Sequence, residues 1–418
     1  MRVSGPDTAR AVLLLAGSLP PPRVAQRRRL IDPNTGDHLD NGLVLWFPAP
    51  KSATGEDVAE LHLHGSRAGL AATMHALGGL GLRLAEPGEF TRRAFLNGKL
   101  DLLEAEAIAD LTAAETQAQH RQALRQLGGE LGALYRGWRG RLLQTLAHLE
   151  AAIDFPDEDL PQEIEERIIG EARALVAEID SHLADGRRGE RLREGINVAI
   201  VGPPNVGKSS LLNRISRREA AITSPVAGTT RDVIEVAVDL RGYPVVLADT
   251  AGLRESGDRV EQEGLRRALR RAEEAEIRLF VFDAGHPAQV RQAEAWPGAD
   301  TLLVANKIDL AAAHPRDLPQ TAFAVSALTG EGVDALLEAL GERVAQSNRT
   351  EGPVLTRVRH RQALEEAVSS LRRSVCAALP ELRAEDLRLA LRSLGRITGA
   401  VDVEDLLDVI FRDFCIGK

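Results

Sequence analysis

The stretch INVAIVGPPNVGKSS at residues 196–210 decides how the rest of the chain is read. Its first part, INVAIVG, is a short apolar run that ends in glycine, the pattern of a buried strand. The run passes into GPPNVGKSS, which fits G-x-x-x-x-G-K-[ST] from Gly202 to Ser209, and the helix SSLLNRIS follows. A strand, a glycine-rich loop and a helix in that order form a cradle of backbone N–H groups for phosphate oxygens. Lys208 is placed to reach the β- and γ-phosphates and Ser209 to hold Mg2+.

Three further motifs follow, each closing an apolar strand. VVLADTAG (245–252) brings Asp249, which can hold the metal's water shell, and Gly252, whose N–H can approach the γ-phosphate. TLLVANKID (301–309) brings Asn306, Lys307 and Asp309. A carboxylate there accepts from guanine N1–H and the N2 amine, a pair of donors that adenine lacks, so the base is read as guanine. Ser326, Ala327 and Leu328, after the strand TAFAV, supply a backbone donor for guanine O6. The nucleotide-contacting set is therefore Asn205, Val206, Gly207, Lys208, Ser209 and Ser210; Asp249, Thr250, Ala251 and Gly252; Asn306, Lys307 and Asp309; and Ser326, Ala327 and Leu328. The reading is a Mg2+-dependent GTPase.

Outward from this unit, the alternating βα pattern runs over 195–345 and is flanked by helical texture on both sides. Residues 99–194 and 346–418 read as two parts of one helical domain into which the α/β domain is inserted. Residues 1–98 mix short strands (NGLVLWFPAP, VAELHLHG) with Gly and Pro punctuation, as in an α+β domain. AVLLLAG at 11–17 is too short to span a membrane and is read as an amphipathic helix of that first domain. The fold class is thus multidomain α/β: an N-terminal α+β domain, an all-α domain and an inserted P-loop domain.

The net charge of −9 gives no support for a broad basic nucleic-acid surface, so any RNA partner is held by a local patch or by shape. Two widely spaced cysteines, Cys376 and Cys415, suit a reducing, cytoplasmic setting without a disulfide framework. Cys415-Ile416-Gly417-Lys418 has the position of a prenylation box but ends on Lys, and lipidation is set aside. Of 52 basic residues only Lys51, Lys99, Lys208, Lys307 and Lys418 are lysines, so each lysine is a candidate for a role that guanidinium cannot fill. Cys376 reads as packing on an apolar helical stripe.

The nucleotide motifs resemble the translation-factor-like branch of P-loop GTPases. Leu253 stands where signalling GTPases carry a water-orienting glutamine. Asn205, together with ITSPVAGTTRD (222–232), resembles the K+-activated GTPases. That resemblance implies K+ ligands at Asn205, Ser224, Val226 and Thr229 and a Mg2+ ligand at Thr230. It also implies GTP contacts along Ser224, Pro225, Val226, Ala227, Gly228, Thr229 and Thr230. The plainer alternative for Asn205 is a turn residue with a satisfied side chain.

Over essentially all of its length the chain resembles the MnmE (TrmE) family of tRNA uridine-5-carboxymethylaminomethyl modification GTPases. The likeness rests on RVSGP, TGEDVAELHLHG, PGEFTRRAFLNGKLDLLEAEAIADL, AAIDFPDED, the GTPase motifs and the terminal FCIGK. It implies a homodimer whose N-terminal domain binds 5-formyl- or methylene-tetrahydrofolate through Arg2, Glu60, Lys99 and Lys418. It further implies a flavin-dependent partner in a heterotetramer-like complex, and tRNA as substrate. Glu261, in GLRESGDRVEQEG, resembles the family's catalytic glutamate; the alternative is a helix N-terminal carboxylate favoured by the dipole. Cys415 resembles a reaction-site thiol, whose reactive form is the thiolate; the alternative is a buried structural sulfhydryl.

Glu60, His62 and His64 alternate along a strand and raise a weaker zinc reading. Met1 stands where family members carry Val or Ile before the Arg, so the expectation is that a further strand's worth of residues precedes it in the native chain. The main rival reading is a ribosome-assembly GTPase of the same branch acting as an RNA-binding switch. A membrane-signalling GTPase would need a lipid anchor.

Overall fold

The computed structural model describes residues 1–154, 162–218, 235–249, 275–286, 289, 300–310, 318–348, 352–401, 407 and 410–411, with the backbone alone at 162–164. It divides into two compact units, one of Met1–Ala109, Gln126–Leu175 and Glu366–Lys418, the other of Asp110–Arg125 and Val176–Glu365.

The first unit opens with β1 (Arg2–Ser4), α1 (Thr8–Ala16), β2 (Gln26–Ile31), β3 (His38–Phe47), β4 (Val58–His62), α2 (Arg67–Gly79) and α3 (Glu89–Leu96). The strands form an antiparallel sheet in the order β1-β4-β3-β2. AVLLLAG lies in α1, which buries Thr8, Ala11, Val12 and Leu15 at helical spacing and stops at Gly17 in the left-handed region. In β3 the alternation expected of a one-sided strand is present: Val44 and Trp46 enter the core beside Leu30 and Leu61, while Leu43 is exposed. Further on, α6 (Glu130–Asp154) and α12 (Pro380–Thr398) pack along each other, burying Tyr135, Trp138 and Leu142 on one and Leu387, Leu394 and Ile397 on the other.

Cys376 corrects an expectation. It is exposed and is the last residue of α11 (Val358–Cys376). The buried stripe of that helix runs through Leu364, Ala367, Val368 and Leu371. Cys376 follows Leu371 by five positions, roughly 140° round the helix from it, and so leaves the stripe.

The second unit carries β5 (Ile196–Val201), α9 (Lys208–Arg218), β6 (Glu235–Leu240), β7 (Tyr243–Asp249), β8 (Ile277–Asp283), β9 (Asp300–Asn306), β10 (Phe323–Ala324) and α10 (Val333–Ser347). Its six strands lie in the order β10-β9-β8-β5-β7-β6, parallel except for β6. Leu211, Leu212 and Ile215 of α9 share a core with Leu336, Leu340 and Val344 of α10 and with the β5, β7 and β8 side chains of one face. Ala199, Val201, Phe280, Phe282 and Ala305 fill the other face. Burial on both faces is why INVAIV reads as a continuous apolar run.

The insertion has a visible anchor. The Asp110 carboxylate accepts from Arg193, just before β5, at 2.9 Å and from Arg357, beyond α10, at 2.8 Å. One side chain thus joins the two ends of the inserted segment, the geometry that makes domain insertion tolerable. Beside it, Ala118 N–H in α5 (Gln117–Leu127) donates to Gly242 O in the β6–β7 turn at 2.9 Å. Gln119 Nε2 donates to Arg193 O at 3.1 Å. Among the described residues, no helix is long and apolar enough to cross a membrane.

Candidate nucleotide site and N-terminal cavity

The parallel register brings the motifs to one edge of the sheet. Val201 pairs with Phe280, and Asp283 with Asn306, so Gly202, Asp249 and Asn306 all follow or close strands at their C-terminal ends. That edge is where open α/β sheets bind ligands. Gly202 sits at φ 140, and a Cβ there would lie 2.0 Å from Val281 O; only glycine lets the loop pass this close to β8. Gly207 is packed in the same way against Asn306, whose Nδ2 a Cβ would approach to 2.4 Å.

Lys208 lies over this loop, its Nζ donating to Gly202 O at 2.8 Å and to Pro203 O at 2.7 Å. Burial pulls its ammonium below the usual lysine range, partly offset by the Asp249 carboxylate. Ser209 Oγ donates to Asp249 Oδ2 at 2.5 Å, so the two oxygen groups assigned to the metal shell already face each other. Oxygen ligands of this kind suit a hard divalent cation. Asn205 occupies the left-handed region at φ 62 and is exposed at the tip of the loop. An asparagine tolerates that backbone better than most residues.

The base-reading end is held by buried hydrogen bonds. Asn306, 1% exposed, donates from Nδ2 to Val206 O at 2.8 Å and accepts at Oδ1 from Ala327 N–H at 2.9 Å. It therefore joins the phosphate loop to the 326–328 loop. Asp309 Oδ1 accepts from Ser326 Oγ at 2.5 Å, which orients an exposed carboxylate. Lys307, also in the left-handed region, pairs with Asp283 at 2.9 Å. Burial would raise the Asp283 carboxyl, but Lys307 and the Gly285 N–H outweigh it and hold the group below its ordinary value. Arg214 Nε donates to Ala327 O at 3.0 Å, a support that no sequence motif announces.

A second concentration of chemistry lies in the N-terminal sheet. The register opposes Arg2 to Glu60, and the pair closes at 2.8 Å. Burial would raise the Glu60 carboxyl, but hydrogen bonds from Arg2 and His62 bring it below its ordinary value. Glu60 and Lys99 line one cavity of about 530 Å³, with Arg23, Phe47, Lys51, Ser52, Ala53 and Val58. His64 turns to Asp40 at 2.7 Å instead of joining Glu60 and His62, and among the described residues no group of His, Cys, Asp and Glu could hold a metal ion. The zinc reading has no support there.

Residues 1–99 match the family model for the GTP-binding protein TrmE N-terminus, and residues 102–415 match that for the MnmE helical domain. The tRNA modification GTPase MnmE of Rhodospirillum rubrum is 57% identical over 440 residues, covering 100% of this chain and 96% of the relative. The chain belongs to the MnmE family of tRNA modification GTPases. The MnmE protein of Parvibaculum lavamentivorans is 56% identical over 425 residues, again covering 100% of this chain and 96% of the relative. Among solved structures, Era in complex with MgGDPNP and nucleotides 1506–1542 of 16S ribosomal RNA aligns at 24% identity and a TM-score of 0.29 over 44% of this chain and 69% of that chain.

Several positions singled out in the sequence lie outside the described residues. They are Ser224, Pro225, Val226, Ala227, Gly228, Thr229 and Thr230, then Thr250, Ala251, Gly252, Leu253 and Glu261, and finally Cys415 and Lys418. The cavity residues Arg23, Phe47 and Lys51 escaped the sequence reading. For Lys51 a signal existed in the rarity of lysine, without a motif to place it.

Proposed function

We propose that this chain is a K+-activated, Mg2+-dependent GTPase that drives addition of a carboxymethylaminomethyl group to C5 of the wobble uridine of certain tRNAs. In this reading it is a cytoplasmic homodimer that works with a flavin-dependent partner. The four segments 1–98, 99–194, 195–345 and 346–418 act as folate-binding, helical, GTPase and helical parts. The observation that carries the GTPase reading is the Asn306 bridge between phosphate loop and base loop, with Ser209 and Asp249 face to face beside Lys208.

Asp309 accepts the guanine N1–H and N2–H donors, and the 326–328 loop offers backbone N–H to O6. The loop amides and Lys208 bind the phosphates, oriented for attack by water on the γ-phosphorus, which releases GDP and inorganic phosphate. Ser209 and Thr230 would hold Mg2+, which when bound would supply positive charge to stabilise the phosphate oxygens. Asn205, with Ser224, Val226 and Thr229, would hold K+, which would supply the positive charge that an arginine brings in other GTPases. Glu261 orients the water in place of the absent glutamine.

The one-carbon part of the reading is supported by Glu60 and Lys99, distant in sequence, lining one cavity with Arg2 paired to Glu60. Arg2, Glu60, Lys99 and Lys418 hold the folate, and Cys415 supplies the thiol. Nucleoside mass spectrometry of tRNA from cells lacking this chain tests the whole reading. Loss of the C5 modification at the wobble uridine is the expected result, and an unchanged profile overturns it. GTP turnover in K+ against Na+ at equal ionic strength tests the Asn205 assignment; a rate at least about tenfold higher in K+ is expected from a cation placed at the developing charge, and equal rates remove it.

A further inference from the structure

Lys51 is the one lysine that neither the nucleotide motifs nor the family match explains. It lies in the loop after β3 and lines the same cavity as Glu60 and Lys99. Arg23 enters that cavity from the segment before β2. Its backbone is in the left-handed region at φ 63, and its N–H is tied to Trp46 O at 2.8 Å.

The three cations of the cavity are handled differently from the charges around them. Arg23 Nη2 donates to Lys51 O, and the guanidinium lies 5.7 Å from the Phe47 ring centroid. Lys99 Nζ donates to Pro50 O at 3.2 Å, in a loop pinned by Asn97 Nδ2 to Thr54 O at 2.8 Å. Among the described residues, none of Arg23, Lys51 and Lys99 is in an ion pair, whereas Glu60 is engaged by both Arg2 and His62. Three like charges gathered on a cavity of about 530 Å³ repel one another. Backbone carbonyls and a ring offset this in part, and an anion with several charges offsets it in full.

We propose that Arg23 and Lys51 form the subsite that takes the carboxylates of the γ-linked glutamate tail of a reduced folate. This rests on the folate reading above and deepens it. A folate makes opposite demands at its two ends. Its pterin edge presents N–H donors, which a carboxylate such as Glu60 accepts, and its tail presents carboxylates, which need cations. Arg23 spends one of its donors on Lys51 O and keeps others for a carboxylate oxygen. Lys51 supplies a flexible point charge that can follow a tail of varying length.

The test is equilibrium binding of 5-formyl-tetrahydrofolate as the monoglutamate and as the pentaglutamate to the full chain, at low and at high salt. The wild type is expected to bind the pentaglutamate about tenfold more tightly at low salt, with the preference shrinking as salt screens it. Lys51→Ala and Arg23→Gln are each expected to reduce that preference several-fold, while Lys51→Arg retains it. Equal binding of the two folates by the wild type overturns the tail subsite and leaves the folate site standing. A pentaglutamate preference undiminished in both Lys51→Ala and Arg23→Gln also overturns it, because the tail then lies elsewhere. Binding of neither folate overturns the folate reading itself. Should Arg23→Gln fail to fold, Lys51→Glu on the exposed loop is expected to reverse the preference, and an unaltered preference there is decisive against the proposal.

Discussion

The nucleotide cradle and the N-terminal cavity are both lined with charge, but their side chains are held in different ways. In the cradle, motif residues restrain one another: Asn306 spans two loops, Ser326 orients Asp309, Ser209 meets Asp249, and Lys307 meets Asp283. Elsewhere in the N-terminal domain, Glu89 is engaged by Arg83 and by Arg93 at 2.6 Å, and Arg93 also reaches Glu56 at 2.8 Å. Within the cavity, Arg23 and Lys99 donate to backbone carbonyls and Arg23 lies over a ring, while Lys51 contributes its own carbonyl to Arg23. Groups that restrain one another are organised before a ligand arrives. Cations left without an ion-pair partner around a cavity, where the one carboxylate is already engaged, are organised for a ligand that supplies the missing charge.

The largest expected effect lies in the cradle. Asp309→Asn removes a charged acceptor of two guanine donors and should weaken GTP binding about a hundredfold. The same variant should gain affinity for xanthosine triphosphate, whose O2 accepts from the new amide. Titration with fluorescent nucleotides checks both, and unchanged GTP affinity would show that the base is read elsewhere.

The paired network around Glu89 should show itself in acid. Burial would raise the Glu89 carboxyl, but hydrogen bonds from Arg83, the Glu86 N–H and Arg93 lower it from 4.5 to about 2. A carboxylate whose folded pKa is depressed adds stability that is complete above its unfolded value and is lost as the pH falls through the folded one. The first unit should therefore lose on the order of 2 kcal/mol between about pH 5 and pH 2, discounted for the solvent exposure of Arg83. Hydrogen exchange across 1–109 measures this loss. Glu89→Gln should flatten it, and an equally steep acid dependence in that variant would assign the effect to other carboxylates.

The smallest effect is expected in the cavity itself. Lys51→Ala should change the melting free energy by less than about 0.5 kcal/mol, in the stabilising direction, since it relieves like-charge repulsion. A loss of several kcal/mol would make Lys51 a structural residue and erase the contrast between the two regions.

Legibility in the sequence followed the same division. The α/β unit was readable because its chemistry sits in short segments, each placed by a strand end: a buried apolar run, then a loop whose glycines admit close backbone approach. Its helices and those flanking it could be located from periodicity, as could α1. The exposure of Cys376 was not legible in the apolar stripe, because its position in the helical turn, five residues past Leu371, faces away from the buried side. Arg214 was missed because its function is to hold a distant carbonyl, a contact that leaves no local pattern.

What the residue order determined is the identity of the nucleotide, the division into α+β, helical and α/β parts, and the family. These depend on local spacing, which a strand or a helix converts directly into geometry. Tertiary structure alone decided that Asp110 would join Arg193 to Arg357 and that β1 would lie against β4 to set Arg2 on Glu60. It likewise brought Arg23, Lys51 and Lys99, from three separate loops, to one cavity. Such meetings are fixed by strand register and by the packing of distant segments, and neither is encoded in any contiguous run of residues.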